Sequence, residues 1–169
     1  YTGAGQPDVV YADEYGREFG LKLALVGSGR EYLRLDELKA ADRMVIVPLD
    51  FPKPPDVATE QQAMSTTLNE LMHWRLAPEN PGRLAKAGVN IVFTSEGLSD
   101  RGQFLAQLRK AIERGLPTDT ALEALTTRPA KLYDVDEQLG TIEVGKLANF
   151  VVTTGDLFAK ETKVVATWV

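Results

Sequence analysis

Hydrophobic positions in this chain fall into two patterns, short continuous runs and sets with helical spacing. The continuous runs predict buried strands, and they are Leu21–Val26, Met44–Pro48 and Val89–Phe93. The helically spaced sets predict amphipathic helices, and they are Asp8–Gly20, Glu31–Ala41, Thr67–Arg75 and the stretch between Asp100 and Gly115. Because apolar strands alternate with helices, the pattern predicts an α/β fold whose parallel sheet is buried on both faces.

Residues that begin or end helices support these boundaries on either side of the third apolar run. Asn80 can cap a short helix with Pro81 at its first position, and Gly88 follows the last residue of that helix. Asp100 can cap the next helix, and Gly115 can end it. A helix is therefore predicted before the run and another after it.

A further helix is predicted between Thr120 and Pro129. Thr120 and Glu123 have the spacing of a capping box, and the residues after Thr120 are good helix formers. Pro129 cannot continue a helix, and it biases Arg128 toward an extended backbone. We therefore expect the helix to break at this point.

The last 30 residues predict strands. Between Gly140 and Gly145, Ile142 and Val144 alternate with polar residues, which predicts a half-buried strand closed by glycine at both ends. Asn149–Thr154 and Lys163–Val169 predict two further strands. The chain thus changes from strand–helix units to strands alone near its end.

The composition is that of an ordinary globular domain, and it excludes several classes of protein. The chain has 169 residues, a formal net charge of −5 and no cysteine. It is shorter than the about 250 residues of a complete barrel of eight strand–helix units. The negative charge disfavours a nucleic-acid surface, and no apolar run approaches the ~20 residues that span a bilayer. Disulfides and thiolate metal sites are excluded, whereas cytoplasm and periplasm both remain open.

The C-terminal half carries the most specific motifs. The segment ALEALTTRPAKLYDVDEQLGTIEVGKLANFVVTTGDLF, Ala121–Phe158, resembles the C-terminal end of metal-dependent amidohydrolases of the imidazolonepropionase-like kind. PENPGRLAKAGVNIVFTSEG is similar to the approach to that family's last barrel strand. The resemblance implies about the last three strand–helix units of a partial TIM-type (β/α) barrel in residues 1–130. It implies strands of a small composite β-sandwich in residues 131–169.

The resemblance also indicates where the active site lies. In such barrels the loops at the C-terminal ends of the strands converge on one mouth. The positions at those ends form two candidate sets. The substrate-binding candidates are Ser28, Arg30, Asp50 and Thr94, and the catalytic candidates are Ser95 and Glu96. Lys53, in the proline-rich loop after the second strand, is a further candidate.

Family members bind zinc or a related metal through histidines on the first, fifth and sixth barrel strands and an aspartate on the eighth. This chain has Gly27-Ser28-Gly29 where the sixth-strand histidine is expected and Ser95 in place of the aspartate. Serine cannot replace a carboxylate as a proton acceptor. No metal ligand is therefore predicted in this chain, and zinc or another divalent metal is expected only in the full-length parent protein.

Several residues carry a plain interpretation beside a functional one. The Gly27–Arg30 segment is a tight turn or an anion cradle at a helix N-terminus. Asp50 and Glu96 are solvated carboxylates or a pair across the mouth. Ser95 lacks the G-x-S-x-G setting of a nucleophile. His73, the single histidine, is expected to be a surface or packing residue, and Lys146 to be structural.

Three hypotheses follow for function. The first is a fragment of an amidohydrolase that cleaves a non-peptide C–N bond, in a cyclic amide or a dipeptide-like substrate, with metal-activated water in the intact parent. The alternative is a catalytically degenerate barrel that acts as a small-molecule binding module, and the third is an unrelated α/β domain. The expected partners are a small-molecule substrate and the remainder of the parent chain, with no nucleic acid and no membrane. An open parallel edge also predicts self-association.

Overall fold

The computed structural model describes residues 16–169, and strands and helices alternate along them. The strands are β1 (Ala24–Val26), β2 (Met44–Pro48), β3 (Ile91–Thr94), β4 (Phe150–Thr153) and β5 (Val164–Trp168). The helices are α1 (Leu35–Ala41), α2 (Glu60–Ser65), α3 (Leu68–Leu76), α4 (Asn80–Ala87), α5 (Phe104–Glu113), α6 (Thr118–Leu125) and α7 (Thr127–Leu132). Single 3-10 turns, at Glu31–Leu33, Ala77–Glu79 and Arg101–Gln103, precede α1, α4 and α5. The fold is therefore mixed α/β, as predicted.

The first three strands form a parallel sheet in the order β1-β2-β3. Leu25 pairs with Val45, which pairs in turn with Ile91, and all three side chains are buried. Val47 of β2 is also fully buried, whereas Ile46 on the opposite face is only partly buried. Val92 of β3, the register partner of Ile46, is buried on that face as well, so within residues 16–169 one face of the sheet is fully covered and the other only in part.

Helices α4, α5 and α6 build the core against this sheet. Leu84, Leu108 and Ala121 have no exposed surface and belong to one apolar cluster with Val47. Gly82 of α4 allows the closest approach. A Cβ atom added there would lie 2.7 Å from the carbonyl carbon and oxygen of Gly115, just beyond α5. The helices can therefore pack closely only because position 82 has no side chain.

Strands β4 and β5 form a separate antiparallel pair. The rings of Phe150 and Trp168 stack across it, with centroids 5.9 Å apart. The segment between the two strands is attached to the α/β core, because the guanidinium of Arg109 donates to the carbonyl oxygens of Leu157 and Phe158 at 3.3 and 3.1 Å. The two predicted C-terminal strands are confirmed.

Other predicted elements are confirmed with shifted ends. β1 is shorter than the predicted Leu21–Val26, and Leu21 is exposed. The predicted helix Glu31–Ala41 divides at Arg34 into a 3-10 turn and α1. The predicted helix Asp8–Gly20 lies for the most part outside the described residues.

The predicted helix does end before Pro129, since α6 ends at Leu125 and Thr126 is not helical, but the expected extended backbone at Arg128 is wrong. Pro129 lies inside α7 together with Arg128, which is helical rather than extended. A proline is tolerated in the first turn of a helix, since that turn leaves its N–H groups without partners in any case. The expected capping box of Thr120 and Glu123 is also wrong, because α6 begins two residues earlier, at Thr118.

The predicted strand between Gly140 and Gly145 is absent from the described part of the chain. Ile142 and Val144 are 87% and 108% exposed and form no half-buried face. A strand requires a neighbouring strand to accept its backbone hydrogen bonds, and β4 and β5 pair with each other instead. Lys146 holds this loop closed by donating to the Asp136 carbonyl at 2.9 Å.

Helix α2 was not predicted, and Asn80 is not a helix cap. Thr59 and Gln62 form a reciprocal capping box at the start of α2, a signal that is visible in the sequence. Asn80 is the first residue of α4 and follows directly on the 3-10 turn before it. Its side chain is thus free to bind elsewhere in the fold. Gly88 ends α4 in the left-handed conformation, as predicted.

Candidate functional site

A groove of about 330 Å³ lies at the carboxyl ends of β1 and β2. Arg30 contributes to it from the loop after β1, and Lys53 from the proline-rich loop after β2. The opposite wall is formed by α2, α3 and the residues between them. The lining residues are Arg30, Pro52, Lys53, Pro55, Asp56, Ser65, Thr66, Glu70 and His73. Grooves at this edge of a parallel sheet are common ligand sites, because the strand-end loops meet there.

The loop after β1 is organised around the buried carboxylate of Glu31. One carboxylate oxygen, Oε1, accepts hydrogen bonds from the backbone N–H groups of Ser28 and Gly29 and from the Ser28 hydroxyl. A Cβ atom on Gly27 would lie 2.8 Å from this same oxygen. The Gly27–Gly29 turn therefore does cradle an anion, but the anion is the chain's own side chain.

Asn80 binds the other side of the Glu31 carboxylate. Its Nδ2 donates to Oε2 of Glu31 at 2.6 Å, and the residue is only 1% exposed. Asn80 Oδ1 is buried without a hydrogen-bond partner among the described residues. This amide joins the end of β1 to the start of α4, so Glu31 and Asn80 together set the position of the loop that carries Arg30.

Arg30 and His73 form the wall of the groove nearest β1. Arg30 Nη1 donates to Asn69 Oδ1 at 3.2 Å, which ties the guanidinium to α3. One turn further along α3, Nδ1 of His73 lies 3.2 Å from the Tyr32 hydroxyl oxygen, and the two rings stack with centroids 6.3 Å apart. The guanidinium is thus held by a side chain of α3, and the imidazole by a side chain of the 3-10 turn after β1.

The pKa of His73 is lowered below 6.5, chiefly by partial burial and in second place by the positive charge of Arg30, while Glu31 acts weakly in the opposite direction. We therefore expect His73 to be mostly neutral at pH 7 and to titrate at a lower pH than histidine in a denatured chain. A proton NMR titration of its single pair of ring signals measures this directly. A midpoint above 6.5 in the folded protein would contradict the expectation.

The carboxylates of the groove are occupied by local hydrogen bonds. Asp56 accepts from the Ala58 backbone N–H at 3.1 Å and from the Gln62 side-chain amide at 2.8 Å. Glu70 accepts from the backbone N–H and the hydroxyl of Thr67, both at 2.8 Å. These bonds hold the pKa of Glu70 below its usual value, the backbone bond most strongly. Both acids thus serve to begin helices.

The structure brings only part of the predicted site together. Arg30 and Lys53 line the groove, whereas the lining, which lies wholly in the described chain, contains none of the other candidates. Ser28 donates to Glu31, and Asp50 approaches the next loop, since a Cβ on Gly97 would lie 3.0 Å from its Oδ2. Thr94 Oγ1 accepts from the Glu96 backbone N–H at 3.1 Å. Ser95 is half-buried, and the Glu96 side chain is exposed at the end of β3.

Sequence reasoning missed Glu31, Asn80 and Tyr32, and it placed His73 outside the site. Glu31 follows a G-x-G turn at a distance from which a carboxylate can reach back to the turn's N–H groups, so the sequence did hold a signal for it. No comparable signal joins Tyr32 to His73, because 41 residues separate them and only the packing of α3 against the β1 loop brings them into contact.

A parallel sheet with helices packed against it and a polar groove at its strand-end loops places the chain in the α/β class of folds. The comparisons with known proteins narrow this class. The Amidohydrolase family model matches residues 78–169, more than half of the chain. The chain belongs to the amidohydrolase family.

Individual proteins share parts of this chain or its fold. N-acetylglucosamine-6-phosphate deacetylase of Caenorhabditis elegans is 40% identical over 48 residues, which are 28% of this chain and 12% of that protein. An amidohydrolase from Thermotoga maritima MSB8 has the same fold over 99% of this chain and 40% of its own, with 24% identity and a TM-score of 0.73. A Xaa-Pro dipeptidase with bound methionine in its active site matches over 89% of this chain and 43% of its own, with 18% identity and a TM-score of 0.57.

This chain spans less than half the length of these solved structures. Within residues 16–169, its helices are also too short or too polar to cross a membrane. The amidohydrolase family is typically metal-dependent. Across the described chain, however, no three His, Cys, Asp or Glu side chains are grouped as metal ligands. Glu31, the carboxylate at the end of β1, is already bound by the turn and Asn80. These residues do not fit a metal site by themselves.

Proposed function

We propose that this chain is the C-terminal part of a longer amidohydrolase that hydrolyses a C–N bond in a cyclic amide or a dipeptide-like substrate. The match of the family model to residues 78–169 carries this proposal. The names of two similar proteins, a Xaa-Pro dipeptidase and an N-acetylglucosamine-6-phosphate deacetylase, support dipeptide-like and N-acylated molecules as the first compounds to test.

We assign β1, β2 and β3 to a partial TIM-type barrel in residues 1–130, and β4 and β5 to a β-sandwich in residues 131–169. The shared fold with the Thermotoga maritima amidohydrolase supports this division. Exposed apolar side chains support it as well, since Val151, Val164 and Trp168 are each more than half exposed on the β4–β5 pair. Surfaces of this kind are normally covered in a complete protein, so the remainder of the parent chain is the expected partner.

The groove and the end of β3 then have separate roles. Arg30 and Lys53 bind and orient the substrate in the groove. Glu96 is the proposed proton acceptor, because its carboxylate is exposed at the end of β3 beside Ser95, the second catalytic candidate. The ligands of the family's divalent metal, zinc or a related ion, belong to the remainder of the parent protein.

The intact protein is the form in which this proposal is tested. We expect about one or two divalent ions per chain after gel filtration, and hydrolysis of N-acyl amino acids or cyclic amides that a chelator abolishes and added zinc restores. In the same assay, Glu96→Gln is expected to lower kcat by about 100-fold, the usual contribution of a positioned acid or base. Glu113→Gln, a matched change on the exposed end of α5, is the control.

One observation favours the alternative, a degenerate barrel that binds small molecules without turnover. The resemblance to the family implies a histidine and an aspartate at positions where this chain has Gly27-Ser28-Gly29 and Ser95. This alternative predicts an intact protein that carries no metal even after incubation with zinc or manganese. It also predicts saturable binding that a chelator does not change. Finding both results together would replace the hydrolase proposal with the binding module.

A further inference from the structure

The groove between α3 and the loops after β1 and β2 presents two cationic side chains together with a neutral imidazole. From this arrangement we infer that it is a site for a small oxyanion, the carboxylate or phosphate group of a small molecule, bound by Arg30 and Lys53 beside His73. The inference deepens the proposed function by assigning a negative charge to the substrate. Binding of an anion does not depend on the proposed hydrolase function, whereas the identification of that anion as part of a substrate rests on it.

The first argument concerns which charges of the groove remain available. Asp56 accepts hydrogen bonds from the Ala58 N–H and the Gln62 side chain near the start of α2. Glu70 accepts hydrogen bonds from the N–H and hydroxyl of Thr67 at the start of α3. The Lys53 side chain is exposed, and within residues 16–169 it makes no ion pair or hydrogen bond. The two acids keep their negative charges, but their oxygens are already engaged by donors of the fold. The charged N–H donors of the lining, those of Arg30 and Lys53, are therefore the groups that an added anion can bind.

The second argument concerns the preorganisation of Arg30. Its side chain is only partly exposed, and one of its nitrogens is fixed to Asn69 at 3.2 Å. A guanidinium has five N–H donors in a planar fork that matches the two oxygens of a carboxylate or phosphate. The loop that carries it is held by Glu31 through the Gly29 N–H, at 2.9 Å, and by Asn80. A fixed donor loses little conformational entropy on binding.

The third argument concerns His73. Partial burial, and in second place the positive charge of Arg30, lower the pKa of His73, so we expect the ring to be mostly neutral at pH 7. When the Tyr32 hydroxyl donates to Nδ1, the neutral ring carries its proton on Nε2. In that tautomer the ring is a hydrogen-bond donor at neutral pH as well as at acidic pH. An anion in the groove would offset the charge of Arg30 and raise the pKa of His73.

His73 is also the means of testing the inference, because it is the single histidine of the 169-residue chain. Its ring signals are followed by NMR at fixed pH while three probes are added: N-acetylglycine, inorganic phosphate and the neutral N-acetylglycinamide. We expect the anions to shift the signals saturably, with a dissociation constant on the order of 1 mM, and the amide to leave them unchanged. N-acetylglycine is also expected to raise the pKa of His73. The anion with the lower dissociation constant shows whether the site prefers a carboxylate or a phosphate.

Lys53→Gln tests the residues. The side chain is exposed on a loop, so the fold should tolerate the change, and we expect anion binding to weaken about tenfold through the loss of one charge-assisted contact. Lys160→Gln, with the same change of charge in the exposed β4–β5 connection, should bind as the unmodified chain does. Equal shifts from the anion and the amide, or equal affinities of the two variants, would overturn the inference.

The same variants in the intact protein, titrated with N-acetylglycine by calorimetry, give a second measurement that does not depend on how the shorter chain folds. This experiment also separates the inference from the proposed hydrolase function. Anion binding that depends on Lys53 in a protein without turnover supports the site and counts against the hydrolase. Turnover with equal anion affinity in both variants does the reverse.

Discussion

Replacing Glu31 with alanine is expected to lower the free energy of unfolding by about 3 kcal/mol, since buried donors left without an acceptor cost ~1–3 kcal/mol each. The change removes the acceptor of the Ser28 and Gly29 backbone N–H groups and of the Asn80 side chain. Asn80 already has one buried oxygen without a partner in the described structure, so its amide would lose its remaining side-chain contact.

Two variants make the Glu31 experiment specific. Glu31→Gln keeps an acceptor for the turn, and Asn80 can rotate its amide to accept from the new side chain, so a smaller loss of about 1 kcal/mol is expected. Glu37→Ala removes a glutamate of α1 whose own side chain is 46% exposed and whose partner, Arg34, is one turn away, and it should change stability by less than about 0.5 kcal/mol. Urea unfolding with an unchanged slope measures all three. Similar losses for Glu31→Ala and Glu37→Ala would show that the buried network does not stabilise the fold.

Replacing Gly82 with alanine is expected to destabilise the fold by about 2–3 kcal/mol, near the upper end of the usual effect of overpacking. The added methyl group would lie 2.7 Å from the Gly115 carbonyl and 2.9 Å from the Leu116 nitrogen. These are backbone atoms, and Gly115 is itself held at φ +103°. Neither partner can rotate away, so α4 must move from the core.

Gly155→Ala is the matched control for Gly82→Ala. At position 155 the new methyl group would contact only the Thr162 hydroxyl oxygen, at 3.3 Å, on an exposed loop where a side chain can rotate. We expect a change within about 0.5 kcal/mol, as for other surface substitutions. Thermal or urea unfolding of both variants measures the difference. Equal stability of the two would mean that the contact between α4 and Gly115 is not close in solution.

The Glu31 and Gly82 predictions bear on the groove to different degrees. Glu31 holds the loop that carries Arg30, so Glu31→Ala should weaken binding of N-acetylglycine as well as stability. Gly82 lies on α4, outside the lining of the groove, and it is linked to the Arg30 loop only through Asn80 of the same helix, so Gly82→Ala should weaken anion binding less than Glu31→Ala does. A larger loss of affinity in Glu31→Ala than in Gly82→Ala, at a similar loss of stability, separates the positioning of Arg30 from a general effect of lower stability.

Local patterns determined much of this protein without reference to the fold. Continuous apolar runs placed β2 and the neighbourhoods of β1 and β3, because a strand buried in a parallel sheet must be apolar along its length. Helical spacing and glycine stops located α3, α4 and α5, and the C-terminal motifs were sufficient to indicate the family. These features depend on residues close in sequence, so they can be recognised in the chain itself.

Tertiary structure alone decided which polar residues act together. Asn80 has the sequence of a helix cap, yet the 3-10 turn before α4 leaves its side chain free to bind Glu31, 49 residues away. The alternating pattern at Ile142 and Val144 predicted a strand, yet the backbone hydrogen bonds that would complete it are not offered by β4 or β5. His73 is an unremarkable helix residue until α3 packs beside Arg30 and Tyr32. Hydrogen bonds and charges between distant segments depend on how helices dock against the sheet, and no local pattern records that docking.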